Sequence, residues 1–218
     1  MKINVLGICG SPTKDGNTEV FLRQSLEAAQ GTGDVEPQLI TIADKDINDC
    51  RQCIWCMIKQ EEGKFCAQQD DMVGIYPEIL KADALLLASP VHSGRLSGHM
   101  ARLTSRLRCL VLGKFYNAGL RNKVGGALAV GWVRNTGVEV TLISLASTIL
   151  VLEMVLVSTS FISGSIFGAA GVSSEHGMGK FDIKDRLGIL KDELGLQEAR
   201  SLGKRVAEVA KLIKSGVT

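Results

Sequence analysis

The segment KINVLGICGSPTKDGNTEVFLRQSLEAAQ, residues 2–30, sets the fold class of this 218-residue chain. Lys2 to Cys9 is a short β-rich apolar run, and from Thr18 to Gln30 the apolar residues Val20, Phe21, Leu22, Leu26 and Ala29 recur at helical spacing. The order strand, loop, helix brings the backbone N–H groups of Gly10 to Thr18 and the positive end of the helix dipole to one point, which makes an anion site. Ser11, Thr13, Asn17 and Thr18 add neutral donors. Gly16 is followed by Asn17 and not by Lys, so this is not the phosphate loop of an ATPase. The dinucleotide fingerprint G-x-G-x-x-G is absent, and no Arg stands six positions after Cys9, as a phosphatase-type loop requires. A monophosphate fits best, and FMN is the common such ligand where a doubly wound sheet switches direction. The alternative is an ordinary polar turn capped by Asn17 or Thr18.

Further along, Gln38–Ala43 is a second strand, Met72–Lys81 a helix and Ala84–Ala88 a fully buried strand. A basic helix spans about Gly98–Leu112, a strand Lys123–Val130, an apolar helix starts near Gly137, and a further strand lies within Met154–Ser160. Ser163–Lys180 is rich in Gly and Ser and is expected to be a long loop, functional or mobile. The amphipathic helix Leu196–Lys214 closes the fold. Five strands alternating with helices predict a doubly wound α/β domain spanning residues 1–218, with an insertion at about 46–71 after the second strand.

The chain is long enough to bury a sizeable core without disulfides. Lys plus Arg (25) nearly balance Asp plus Glu (23), a formal charge of +2, so no basic stripe for nucleic acid is expected. The run Ile3–Cys9, interrupted by Asn4, is too short for a signal peptide, which predicts a cytoplasmic protein. Val140–Leu152, thirteen residues between Glu139 and Glu153, is too short to span a bilayer and suits a buried helix.

Two other loops follow strand ends. SPVHSG, Ser89 to Gly94, can present backbone amides to a flat ring, with His92 either a ligand contact or a surface histidine. GWVRNTG, Gly131 to Gly137, brings Trp132, which serves equally as core packing or ring contact.

CRQCIWC, Cys50 to Cys56, spaces three thiols at three-residue intervals, and Cys66 follows after nine intervening residues. A continuous helix would rotate successive positions by about 60°, so a loop around a centre is expected, with Gly63 turning the chain back. Thiolates at this spacing can hold an iron–sulfur cluster. Zinc, a thiol redox switch, or no metal at all are the other readings. Cys9 and Cys109, in a strand and a helix, read as core. Glu61, Glu62 and Lys64 read as a solvated turn, and Arg102, Arg106 and Arg108 as a solvated helix face or a steering patch for an acidic redox partner.

The loop G-S-P-x-x-x-G-N-T, the segment C-x2-C-x2-C with a further Cys and Asp70-Asp71-Met72, and the apolar strand running into Ser89-Pro90-Val91 occur in this order. Together they resemble the iron–sulfur flavoproteins within the NADPH-dependent FMN reductase, flavodoxin-like group. The resemblance implies a flavodoxin-like five-stranded parallel sheet and bound FMN. Ser11, Thr13, Asn17 and Thr18 would hold the phosphate, while Ser89, Pro90, Val91, His92, Ser93 and Gly94 would line the ring, with Trp132 nearby. It also implies a [4Fe-4S] cluster on Cys50, Cys53, Cys56 and Cys66, and a homodimer or homotetramer. The chain departs from the usual pattern in its wide Cys56–Cys66 interval, in His92 where Tyr is frequent, and in Asn135–Glu139 where Gly-Gly-Gln-Glu is common.

The expected activity is electron transfer from a ferredoxin-like donor through the cluster to FMN and on to a terminal acceptor, with no side-chain base. The alternatives are a cluster-free NAD(P)H-dependent FMN or quinone reductase, and a zinc-bearing binding module. The apolar helix after Gly137 and the apolar stretch Phe161–Val172 predict self-association.

Overall fold

In the computed structural model, which describes residues 2–159, 165–180 and 186–216, the elements run β1 (Ile3–Cys9), α1 (Asn17–Gln30), β2 (Val35–Thr41), a single turn α2 (Trp55–Ile58), α3 (Met72–Lys81), β3 (Ala84–His92), β4 (Arg95–Leu96), α4 (Gly98–Arg106), β5 (Val124–Gly131), α5 (Val138–Val151), β6 (Val155–Leu156), β7 (Ala169–Val172) and α6 (Glu193–Gly216). Strands β2-β1-β3-β5-β6 form a parallel sheet in that order. This is the flavodoxin-like arrangement, and its direction switches between β1 and β3.

The two-residue period of β1 divides the core. Ile3, Val5 and Cys9 face α1 and α6, where Phe21, Leu22, Leu26, Leu202 and Val206 pack; Leu6 and Ile8 face the layer of α3, α4 and α5 with Ile75, Ile79, Leu103, Leu142 and Leu145. Burial on both faces explains why β3 and β5 are continuous apolar runs. Cys9 and Cys109 are core thiols, pushed by burial up to about 11 and about 12.

Four expectations need correction. β2 starts at Val35, three residues earlier than the apolar pattern indicates, because its edge position leaves it half-exposed. SPVHSG is not a loop: β3 runs on to His92 and turns back into β4 through Ser93 (φ 50) and Gly94 (φ 79). Positive φ at both central residues is the two-residue turn that matches strand twist. The basic helix ends at Arg106, in a 3₁₀ turn from Leu107 to Leu110, and Arg106 is 1% exposed, so its charge does not belong to a solvated face. Finally, the fifth strand is split: β6 pairs with β5 at Val124–Gly125, and β7, inside the stretch read as a loop, pairs with it at Leu128–Gly131. The small residues of AAGV disguised a strand in which the Cβ position of Gly171 already meets Ile189 and Phe21. Residues 161–164 of the apolar stretch lie outside the described residues.

β7 is an edge, and α6 together with Asp192, the residue just before it, covers its outer N–H groups. Glu198 Oε2 accepts from Ala170 N–H at 2.9 Å, and Asp192 Oδ2 from Val172 N–H at 2.7 Å. Glu198 is 3% exposed, and burial, helped by the charge of Asp192 against the backbone donors, raises its carboxyl to about 7. A raised acid binds more protons folded than unfolded. Its stabilisation is therefore complete below about pH 4.5 and lost as pH rises through about 7. Denaturant unfolding across pH 5–8 should show a decline worth up to about 3 kcal/mol in the native chain, and Glu198→Gln should flatten it; equal slopes would refute the assignment.

Gly137, the residue before α5, has φ +107, and a Cβ there would fall 2.4 Å from the Gly94 carbonyl oxygen. The tip of the β3–β4 hairpin thus rests on the start of α5. Gly137→Ala should cost about 2 kcal/mol or more in unfolding free energy from strain and overpacking together; an unchanged midpoint would show that the tip is not seated.

Candidate functional site

A knot of hydrogen bonds gathers the strand ends. Gly10 N–H donates to the Ala88 carbonyl at 2.8 Å, and the Gly10 carbonyl accepts from Ser97 Oγ at 2.6 Å. Ser97 caps α4 by accepting from Met100 N–H, and its own N–H donates to Ser89 Oγ. A Cβ at Gly10 would lie 2.7 Å from Met100 Cβ, so only glycine fits this crossing.

Above the knot opens a cleft of about 600 Å³, within the usual range for small-molecule sites. Ser11, Thr13, Asn17, Thr18, Pro90, Val91, His92 and Trp132 all line it. The loop is braced from within: Thr13 N–H donates to Ser11 Oγ, and Asp15 N–H to Glu19 Oε2. The first intrahelical bond of α1 runs from Val20 N–H to the Gly16 carbonyl, and no side chain caps the N-cap residue Gly16. The amides of Asn17 and Thr18 are thus free of helix partners and face a polar, hydroxyl-bearing cleft. This fits a phosphate, and the half-exposed Trp132 with the strand-end residues Pro90–His92 supplies a surface for a flat ring.

Three expected residues stand elsewhere. Ser89 is fully buried and spends its hydroxyl on Ser97 N–H and the Pro90 carbonyl, while Ser93 and Gly94 form the exposed hairpin tip. Asn17 lines the cleft, but its amide is used otherwise: Nδ2 donates to the Arg186 carbonyl and Oδ1 accepts from Ile189 N–H. That staple brings in Arg186 and Leu187, which with Val130 and Ser173 complete the lining and were not singled out in the sequence. Of these only Ser173 lies in the Gly/Ser-rich stretch Ser163–Lys180; Val130 ends a predicted strand, and nothing in the sequence marked Arg186 or Leu187.

The cysteine segment leaves the same end of the sheet. Its two ends are latched by Asp70 and Asp71: Asp46 N–H donates to Asp71 Oδ2 and Asn48 N–H to Asp70 Oδ2. Asp70, with its carboxylate 2% exposed, pairs with Arg106 at 2.6 Å, and Arg106 Nη1 also donates to the Asn48 carbonyl. Burial pushes the Asp70 carboxyl up, but the Arg106 guanidinium outweighs it and the net displacement is downward. Gln60, 3% exposed, bonds to the Phe65 and Cys109 carbonyls through Nε2 and to the Phe115 and Tyr116 N–H groups through Oε1.

Inside this frame the chain loops as expected, with left-handed backbone at Gln52 (φ 50) and Ile54 (φ 54) before the single turn α2 that carries Cys56. Cys50, Cys53, Cys56 and Cys66 line one hollow together with Arg106, Arg108 and Cys109. Gln52 N–H points at Cys50 Sγ at 3.4 Å. Burial and then the nearby Cys66 push the Cys56 thiol up, against Arg108. Among the described residues no three His, Cys, Asp or Glu side chains gather on one metal ion. The hollow measures about 20 Å³; what fits an iron–sulfur cluster is its donor set, four cysteines that can each supply a thiolate.

No helix among the described residues is long and apolar enough to cross a membrane. The family model of NADPH-dependent FMN reductases matches residues 3–168. An iron–sulfur flavoprotein of Methanocaldococcus jannaschii is 40% identical over 97% of this chain and 100% of its own length, and one of Methanosarcina thermophila is 29% identical over 97% of each. Among solved structures, a WrbA-like flavodoxin of Agrobacterium tumefaciens superposes with TM-score 0.59 at 17% identity, covering 97% of this chain and 99% of its own. An archaeal flavodoxin does so with TM-score 0.55 at 14% identity, covering 96% and 99%. With nearly full-length likeness to iron–sulfur flavoproteins, the chain belongs to the NADPH-dependent FMN reductase family and is a flavin-dependent oxidoreductase.

Proposed function

We propose that residues 1–218 act as one domain that holds FMN in the cleft and a [4Fe-4S] cluster on Cys50, Cys53, Cys56 and Cys66, and relays electrons from a ferredoxin-like donor to a terminal acceptor. The observation that carries this reading is the convergence of all four cysteines on one hollow, at the same end of the sheet as a phosphate-receptive cleft. When bound, the flavin exchanges one or two electrons and the cluster one, which joins a one-electron donor to a two-electron acceptor.

The chain's own residues bind and orient. Ser11, Thr13, Thr18 and the first amides of α1 receive the phosphate; Pro90, Val91, His92 and Trp132 bound the ring; the Asp70 and Gln60 latches fix the thiols. A side-chain acid or base is not required, because the cofactors carry the chemistry.

Anaerobically purified protein should contain one FMN and about four iron and four sulfide per chain, with a broad iron–sulfur absorption beneath the flavin bands. Cys56→Ser and Cys66→Ser should lose iron and keep FMN. A flavin spectrum without iron, bleached directly by NADPH, would instead select the cluster-free reductase.

We also propose self-association through α5. Val140, Ile143, Leu150 and Val151 are 55%, 44%, 59% and 68% exposed on a helix whose opposite side already packs on the sheet. Sedimentation should give two or four times the chain mass, and a monomer at micromolar concentration would refute this surface as an interface.

A further inference from the structure

We infer that Arg106 is a positioning residue beneath the thiol hollow, donating its Nε–H to a cysteine sulfur of the bound cluster; this deepens the cluster reading above and rests on it.

Arg106 is the largest fully buried side chain among the described residues, 1% exposed, and it lines the hollow formed by the four cysteines. Both terminal nitrogens have partners, through three of their four N–H groups: Nη1 donates to Asp70 Oδ2 and the Asn48 carbonyl, Nη2 to Asp70 Oδ1. The remaining Nε–H is buried without a partner. An unsatisfied charged donor in the interior costs free energy, and Cys66 lines the same hollow as Arg106. Gln68 Oε1, also buried, unpartnered and lining the hollow, is an acceptor and has nothing to give an anion. Arg106 therefore supplies the buried donor.

The chemistry is consistent. Four thiolates on a [4Fe-4S] core carry net negative charge, which grows by one on reduction, so hydrogen bonds to the sulfurs favour the reduced form. Asp70 fixes the guanidinium plane while neutralising most of its charge, which leaves directed hydrogen bonding as the main lever.

The test uses the whole protein, reconstituted anaerobically with iron and sulfide and titrated with dithionite. Arg106→Lys keeps the buried charge opposite Asp70 but lacks Nε, and Arg106→Met with Asp70→Asn removes the pair without stranding a charge. Because the pair also latches the thiol segment, iron and sulfide are assayed in each variant and the readings are taken on the cluster-bearing fraction. Both should shift the one-electron reduction equilibrium at least tenfold toward the oxidised cluster, about 59 mV, and alter the electron paramagnetic resonance of the reduced state. Native potential and spectrum in Arg106→Lys would overturn the proposal even if the double variant does not fold. Failure of the native chain to hold iron would instead overturn the cluster reading, and this one with it.

Discussion

The joint at Gly10 is the constraint on which the molecule depends. There β1 ends against β3, with one bond from its N–H to Ala88 and another from Ser97 to its carbonyl, and the Met100 side chain fills the space a Cβ would need. Because Ser97 also starts α4 and is held by Ser89, one small group of polar contacts fixes where α1 departs, where β3 continues and where α4 begins. The cleft is the gap left above this joint by helices departing to opposite faces. Its position follows from strand order.

The two candidate sites are stabilised by different means. The cleft stands on the parallel sheet, whose buried strands give it a rigid floor. The thiol segment has little core of its own, apart from Ile47 and Phe65, which is stacked between Tyr76 and Tyr116. It is held by polar latches: the Asp70–Arg106 pair, the paired Asp46 and Asp71, and the four bonds of Gln60. Such networks hold geometry well when fully satisfied and fail when one member is lost. A segment bound in this way can carry exposed Cys53 and still keep a defined path.

Much of this was legible in the sequence, because period and punctuation carry it. The strand–loop–helix start, the apolar runs of β3 and β5 and the α3 boundaries follow from hydrophobic spacing. Four thiols meeting in one hollow follow from their sequence clustering. What was not legible depends on tertiary partners. Ser-Pro in SPVHSG marks a loop by local propensity, yet pairing with β5 and the turn at Ser93-Gly94 keep it extended. AAGV is too short and too small to announce a strand, and only the neighbouring β5 and the carboxylates of Asp192 and Glu198 make it one. Arg106 has the same side chain as its exposed neighbour Arg102, and only the fold separates the buried charge from the solvated one.

The split fifth strand has a kinetic consequence. β1 to β5 and the thiol segment are complete well before β7 and α6, yet Ser173, Arg186 and Leu187, which form one wall of the cleft, come after β7. That wall closes only when the distant carboxylates of Asp192 and Glu198 reach the edge of β7 and Asn17 reaches across to Arg186 and Ile189. Pairings between segments so far apart in sequence bear the loop-closure cost and form late. During synthesis the loop before α1 therefore exists before the far wall does, and the last segment to dock turns an open ledge into a cleft.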